Sequence, residues 1–430
     1  MDFTPTTFST PDNSAFAQGQ KLHELLIYLS RNSPFYKELF ANHHIDIDLI
    51  RGINDLSAIP FTTKEDLQQR NTDFLCVKRD KVVEYTATSG TLGSPVTIAL
   101  TENDLNRLSI NEYNSFLCAD GSSNDNYQLM VTLDRQFMAG IAYYTGLRKL
   151  GAGIIRVGIG APSLQLDTIQ RLRPTALVVV PSFILKLIEF ANKNKINLNK
   201  TSVKKAICIG ENIRNNDFTF NALGKRIIEA WDIRLYSTYA STEMQTAFTE
   251  CTEMHGGHLQ PKLLIVELLD DNNLPVNAQV PGEVVITTLG VEGMPLLRYK
   301  TGDICMYFDE PCKCGRSSWR ISPVIGRKKQ MIKYKGTTLY PPALFDILNE
   351  IKEVIDFVVE IYLNEFGLDE VLLYLVSVDQ TDNSDHSIRS SLQDRLRVVP
   401  HIKYVSSAEI QKIQFPESTR KAIKFIDRRV

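Results

Sequence analysis

The segment Thr88-Ser89-Gly90-Thr91-Leu92-Gly93-Ser94-Pro95 gathers small and hydroxyl residues around one leucine. Glycines let backbone N–H groups converge on an anion without Cβ obstruction, and the hydroxyls add donors. That is the chemistry of a phosphate cradle. No Gly-Lys-Ser/Thr ending follows, so the stretch is not a Walker loop. Taken alone, such a cluster is more often an ordinary loop. A second constellation is built from soft ligands. Six residues separate Cys251 from His258, and Cys312 and Cys314 flank Lys313. Three thiolates and an imidazole suit a closed tetrahedral zinc site. His255 competes with His258 for the nitrogen position. Cys76, Cys118, Cys208 and Cys305 read as small buried hydrophobes.

The elements that must position these groups belong to an ordinary globular chain. With 430 residues the sequence has room for two or three domains. A net charge of −2, from 48 basic and 50 acidic residues, argues against nucleic acid as a partner. The start, Met1-Asp2-Phe3-Thr4-Pro5, lacks the basic and apolar runs of a secretory leader. The most apolar stretch, Ala176 to Phe190, contains Pro181, Lys186 and Glu189, so no membrane span is expected. Seven cysteines, an odd number, fit a reducing compartment, and the expected location is the cytoplasm.

An opening helix over Leu22–Tyr28 ends at Ser33-Pro34-Phe35-Tyr36. From about residue 128 to 230, apolar strands alternate with helical patterns, which predicts parallel βαβ units. Strands fall at Tyr127–Leu133, Gly153–Val157, Ala176–Val180 and Lys205–Ile209. From Leu263 to Met306, strands joined by turns predict a small antiparallel unit. The tail has its own strands, Phe357–Leu363 and Val371–Val376, and a helix at Ile388–Leu396. The expected architecture is α/β: a large multi-layered domain over 1–326 and a small α+β domain over 327–430.

Five segments in order make the chain resemble the AMP-forming acyl-CoA synthetases, within the adenylate-forming superfamily. They are the Thr88–Pro95 loop; Tyr239-Ala240-Ser241-Thr242-Glu243; Arg298-Tyr299-Lys300-Thr301-Gly302-Asp303; Gly326-Arg327 with Ile332-Lys333-Tyr334-Lys335-Gly336 and Pro341; and Ser418-Thr419-Arg420-Lys421. Ser33–Tyr36, Pro60–Leu67 and the run Phe137–Gly151 resemble the phenylacetate–CoA ligase branch. The resemblance spans nearly the whole chain. It implies activation of a carboxylic acid by ATP to an acyl-adenylate, then transfer to coenzyme A, with a mobile carboxyl-terminal lid. Relatives also imply a homodimer.

Each implied role suits its residue type. Thr88, Ser89, Gly90, Thr91 and Gly93 would hold the β- and γ-phosphates. Glu243 would bind Mg²⁺ through a hard oxygen, with Thr91 or Thr242 adding a hydroxyl. Tyr239 would stack on adenine, Gly210 and Glu211 would line its edge, and Asp303 would accept the ribose hydroxyls. Lys421 would stabilise charge during adenylation, although Arg420 stands at the family's glycine and leaves Lys424 a competitor. Arg327 resembles a phosphate- or ribose-contacting arginine, Lys329 the hinge, and Lys335 and Gly336 the mouth of the pantetheine tunnel.

Several positions depart from the family. The first loop lacks a lysine, Ala240 replaces a glycine, Ser237 stands at a common aspartate, and Tyr144-Thr145 replaces His-Tyr. An aromatic acid is still expected, but not phenylacetate itself. Phe137, Tyr143 and Tyr144 read equally as pocket or core residues. Two alternatives stay open: loading of a phosphopantetheine carrier protein, and a nucleotide-binding relative without catalysis.

Overall fold

A computed structural model describes residues 11–88, 96–335, 337–378, 381–396, 398–416 and 422–429. Contacts divide them into two units. The larger runs to Phe220 and again from Gly224 to Val324; the smaller takes Asn221–Leu223 and continues from Ile325.

The larger unit opens with α1 (Pro11–Asn32) and α2 (Pro34–Asn42). Ser33 ends the first helix, as its sequence predicts, but also starts another: its hydroxyl accepts the Tyr36 N–H, and Pro34 occupies the first helical turn. After α3 (Lys64–Gln69), β1 (Glu84–Ala87) and β2 (Thr97–Leu100) pair as an antiparallel hairpin. The helix α4 (Glu102–Cys118) follows, closed at its start by a Thr101–Asp104 capping box.

The expected alternation is present. It runs β3 (Asn126–Leu129), α5 (Met138–Leu150), β4 (Gly153–Arg156), α6 (Pro162–Leu172), β5 (Ala176–Val179), α7 (Pro181–Lys193), β6 (Lys205–Ile209), α8 (Ala222–Ala230) and β7 (Arg234–Ser241). All neighbouring pairs among β4-β3-β5-β6-β7 are parallel. Every residue of β5 and β6 is buried, which is why both read as unbroken runs rather than alternating ones. β8 (Thr246–Glu250) pairs antiparallel with β7, and β9 (Gly257–His258) antiparallel with β8, extending this sheet. β10 (Leu264–Leu269), β11 (Gly282–Thr288) and β12 (Tyr299–Cys305) form the predicted antiparallel run. β13 (Tyr307–Phe308) and β14 (Arg320–Ile321) return to the large sheet, giving nine strands in the order β13-β14-β9-β8-β7-β6-β5-β3-β4.

Two of the cores of this unit bear on the site. One joins Leu22, Leu26, Tyr36 and Phe74 to Leu264, Ile286 and Leu297. The other packs Phe116, Tyr143 and Leu147 over Leu129 and Val178. Each such side chain contributes about 1.5–3 kcal/mol on burial.

The smaller unit contains β15 (Gly326–Arg327), β16 (Ile332–Tyr334), β17 (Thr337–Leu339), α9 (Pro341–Glu350), β18 (Val354–Leu363), β19 (Asp369–Ser377), α10 (Asp382–Leu396), β20 (His401–Tyr404), α11 (Ser407–Gln414) and β21 (Phe425–Asp427). A mixed sheet, β20-β19-β18-β21, carries its own core of Tyr334, Leu344, Phe357, Leu373 and Ile388. Among the described residues no helix is long and apolar enough to cross a membrane.

Candidate active site

The parallel strands end where ligands gather in open α/β sheets. β6 runs into Gly210, whose φ of +75° is left-handed, and into Glu211. The Glu211 carboxylate accepts from the Ser182 N–H at 2.8 Å and from the Ser182 hydroxyl at 2.9 Å. Its side chain therefore caps the first turn of α7, leaving the backbone of this segment as the part that can line a base. The neighbouring Asn212 Nδ2 donates to the Val324 carbonyl at 2.7 Å.

β7 and β8 pair out to Ser241 opposite Thr246, so residues 242–245 form the hairpin tip. Thr242 and Glu243 sit on that tip, half-buried. The turn is shaped by the Ser241 hydroxyl, which accepts the Met244 N–H at 3.2 Å, and by Gln245 at φ +48°. Met244 is fully buried and anchors the turn in the core. Glu243 forms no hydrogen bond or ion pair with the described residues and is only partly screened from solvent. A half-buried carboxylate of that kind fits a hard cation.

Four residues before Glu243, the Tyr239 hydroxyl donates to Asp303 Oδ2 at 2.8 Å. The ring lies parallel to Phe248, 5.7 Å between centroids, so Phe248 backs the tyrosine. Asp303 is held on β12 by its own N–H, donated to the Thr301 hydroxyl at 3.1 Å, beside Gly302 at φ +76°. Burial, with the Asp303 charge, keeps the Tyr239 phenol protonated far above its usual range. Arg298, just before β12, is structural: it forks onto Glu267 at 2.7 and 3.0 Å and lies over the Phe61 ring.

At the neck of the first loop, Thr88 and Val96 exchange bonds: the Thr88 N–H reaches the Val96 carbonyl at 2.9 Å, and the Val96 N–H reaches Thr88 Oγ1 at 3.0 Å. The Thr88 hydroxyl thus closes its own loop. Ser89, Gly90, Thr91 and Gly93 lie outside the described residues, as do Gly336 and Lys421. In the smaller unit Arg327 is exposed on β15, the Lys329 carbonyl accepts from Arg429, and Lys335 sits at φ +47° with its ammonium 4.9 Å from the Tyr334 ring centroid. Lys424 is committed to an ion pair with Asp356 and lies over Phe357.

The soft ligands meet. Atoms of Cys251, His258, Cys312 and Cys314 lie within 4.8 Å of one another. Cys251 Sγ is 3.6 Å from Cys312 Sγ, and His258 Nε2 is 3.4 Å from Cys314 Sγ. Two thiolates on one tetrahedral zinc stand about 3.8 Å apart, so the set fits that ion. Cys251 leaves β8, His258 lies on β9, and the two other thiols come from the loop between β13 and β14. His258 pairs with Arg320 across β9 and β14, which brings its ring to the cluster. His258 Nδ1 meets Ser318 Oγ at 3.2 Å, the kind of outer contact that aims Nε2 at a metal. Burial, reinforced by Arg316 and Arg320, pushes His258 down to about 4 and keeps it neutral. Burial raises the Cys251 and Cys312 thiols; at Cys314 burial acts the same way, but donors from Arg316 prevail and lower it. His255, the competing nitrogen, is exposed and packs against Phe218 instead. Cys118 joins the cluster from α4 without belonging to the four, its thiol donating to the Thr249 carbonyl at 3.2 Å.

Sequence reasoning missed two buried groups behind this site. Arg214 Nε donates to Glu250 Oε1 at 2.7 Å, while Glu250 Oε2 accepts the Ser237 N–H at 2.9 Å. The pair ties the segment after Gly210 to β7 and to the residue before Cys251. The second is a polar row on α4, including Arg107. Tyr143 falls in the core against Phe116, and Tyr144 lies under Arg156.

With this geometry in place, comparison with known proteins decides the family. The model of the AMP-binding enzyme family matches residues 39–293. The chain belongs to the AMP-binding enzyme family. A phenylacetate-coenzyme A ligase of Thermus thermophilus is 30% identical over 361 residues, 83% of this chain and 80% of that protein. One of Aromatoleum evansii is 26% identical over 357 residues, 81% of this chain and 78% of that protein. A solved 2-hydroxyisobutyryl-CoA ligase, in its postadenylation state with 2-HIB-AMP, superimposes with a TM-score of 0.84 at 20% identity, over 98% of this chain and 91% of that one. That last likeness establishes the fold of this family member.

Proposed function

We propose that this AMP-binding enzyme is an AMP-forming acid–CoA ligase. The observation that carries the reading is the Tyr239–Asp303 bond of 2.8 Å, which joins two motifs 64 residues apart, the first on the strand whose hairpin tip carries Glu243. In the first half-reaction a substrate carboxylate oxygen attacks the α-phosphorus of ATP, and pyrophosphate leaves. In the second a thiol attacks the acyl carbon, and AMP leaves.

Asp303, which already accepts from Tyr239, accepts the ribose hydroxyls, a task for a bidentate acceptor. The Tyr239 ring face away from Phe248 receives adenine, and the backbone at Gly210 and Glu211 lines the edge of the base. Ser89, Gly90, Thr91 and Gly93 supply donors to the phosphates, with Thr88 fixing the neck of their loop. Glu243, with Thr91 or Thr242, would hold Mg²⁺, which neutralises triphosphate charge when bound. Lys421 stabilises the charge that develops at the α-phosphate. Arg327 contacts the nucleotide, and Lys335 and Gly336 guide pantetheine. Residues 1–326 are the adenylating domain and 327–430 the lid, hinged at Lys329. Cys251, His258, Cys312 and Cys314 would hold a structural Zn²⁺.

The altered Tyr144-Thr145 step argues against phenylacetate, an aromatic acid is the substrate class, and coenzyme A is the acceptor. The seven thiols suit the cytoplasm, and family resemblance adds a homodimer. Acid-dependent ATP–pyrophosphate exchange with hydroxylamine trapping, run over aromatic and aliphatic acids, tests the first half. Free coenzyme A against a holo-carrier protein tests the second. Exchange with no acid in the panel would overturn the reading.

A further inference from the structure

Asp104, Arg107 and Asn111 recur at i, i+3 and i+7 on α4, so one helix face carries all three, and each is buried. They bind other chain segments, mostly through backbone, and not one another. Asp104 accepts the N–H groups of Glu292 and Gly293 at 2.7 and 2.8 Å, and Asn111 Oδ1 accepts the Ala247 N–H at 3.0 Å. Arg107 stands between them, 1% exposed. Its Nε donates to the Leu289 carbonyl at 2.7 Å and its Nη1 to the Gln245 carbonyl at 2.6 Å. Its Nη2 reaches Thr246 Oγ1 at 3.1 Å and the Leu263 carbonyl at 2.6 Å.

A buried guanidinium that hydrogen-bonds only to neutral oxygens, with the Asp104 charge aiding it without a direct bond, is a poor way to gain stability. Removing it from water costs several kcal/mol, and hydrocarbon of the same volume would fill the space at no such cost. What the planar fork supplies is direction: it fixes acceptors from separate chain segments in one plane. Two of those acceptors, the Gln245 carbonyl and the Thr246 hydroxyl, end the turn that carries Glu243. Gln245 is a non-glycine residue at φ +48°, a strained conformation that persists only when its surroundings impose it. Met244 anchors the turn by packing, and Arg107 adds directed bonds to the two residues that follow it.

We infer that Arg107 is a positioning residue for the ligase reaction, holding the Ser241–Thr246 turn so that the Glu243 carboxylate keeps its aim. The inference rests on the ligase reading. Arg107 touches no substrate in this role; it acts through Gln245 and Thr246. Lysine at this position keeps the charge but cannot reach acceptors spread across one plane.

The test uses the full chain with Arg107→Lys, Arg107→Met and Thr246→Val, and Leu26→Ala as a core variant on α1, in the same apolar cluster as Met244, that lowers Tm without removing a hydrogen bond to the turn. Isothermal titration measures ATP binding with and without Mg²⁺, and exchange assays measure the Mg²⁺ half-saturation. Both Arg107 variants should weaken MgATP binding and raise the Mg²⁺ half-saturation by about tenfold, with KM for the acid within about twofold of the parent. Thr246→Val, which removes a single acceptor, should shift both about threefold. Thioester formation from supplied acyl-adenylate should stay within about threefold. Leu26→Ala should lower Tm and leave the Mg²⁺ response unchanged. If the Arg107 and Thr246 variants behave like Leu26→Ala, the positioning role is wrong and the ligase reading stands. If Arg107→Met does not fold, Thr246→Val alone decides. Absence of acid-dependent exchange in the parent overturns the ligase reading and this inference together.

Discussion

Glu112 is a fully buried carboxyl whose oxygen accepts from Asn111 Nδ2 at 3.0 Å, and it faces the Tyr143 phenol from α5. Close helix packing explains its burial: a Cβ on Gly146 would lie 2.3 Å from the Glu112 Cβ, so α5 covers α4 there. Burial pushes the carboxyl up to about 8. Between the ordinary glutamate range and that value, the folded chain holds a proton that the unfolded chain has released. Stability must then fall as pH rises, by up to about 1.4 kcal/mol per pH unit. Glutamine keeps the shape and the acceptor but does not titrate. Glu112→Gln should therefore gain about 3 kcal/mol over the parent between pH 5 and pH 8, read from urea midpoints at both values. A gap that is the same at both pH values would show that the buried carboxyl titrates normally in the folded protein.

At the scale of elements, Cys251, His258, Cys312 and Cys314 would, with zinc bound, form a clip between the β8–β9 turn and the loop from β13 to β14. Both segments are short of backbone pairing, since β9, β13 and β14 have two residues each. A metal crosslink would supply what the ladder does not. Cys312→Ser should remove bound zinc and lower Tm by about 5 °C or more, while kcat of the folded enzyme changes little. Metal analysis of the purified parent that finds no zinc would remove the clip from the account. The sequence made part of this legible. Cys-x-Cys announces a ligand pair, but only the register of β9 against β14 selects His258 over His255. The parallel strands were readable because Ala176–Val179 and Lys205–Ile209 are continuous apolar runs. Pro34 read as a breaker because proline marks both the end of one helix and the first turn of the next. The α4 row escaped because Asp104, Arg107 and Asn111 look like a solvated face until Leu108 and Phe116, buried on the same helix, show which way it turns. Polar residues in phase with the apolar stripe were the available signal.

For the whole molecule, the open question is which lysine of the smaller unit serves the first half-reaction. Lys424 has a structural occupation. Its ammonium pairs with Asp356, it lies 4.4 Å from the Phe357 ring centroid, and its carbonyl accepts the Val359 N–H at 2.9 Å, where β21 joins β18. Freeing that ammonium for catalysis would break the ion pair and the ring contact, about 1 kcal/mol together for partly exposed groups. Lys421 stands three positions earlier in the segment that resembles the family's terminal signature, and we assign it the adenylation charge. The two roles separate experimentally. Lys421→Ala should cut acid-dependent ATP–pyrophosphate exchange by about a hundredfold or more, while thioester formation from supplied acyl-adenylate stays within about threefold. Lys424→Ala should lower stability by about 1 kcal/mol and leave exchange near the parent rate. The reverse pattern would move the catalytic charge to Lys424. Loss of both half-reactions in Lys421→Ala, with the fold intact, would mean that the lysine serves the nucleotide throughout rather than the first step alone.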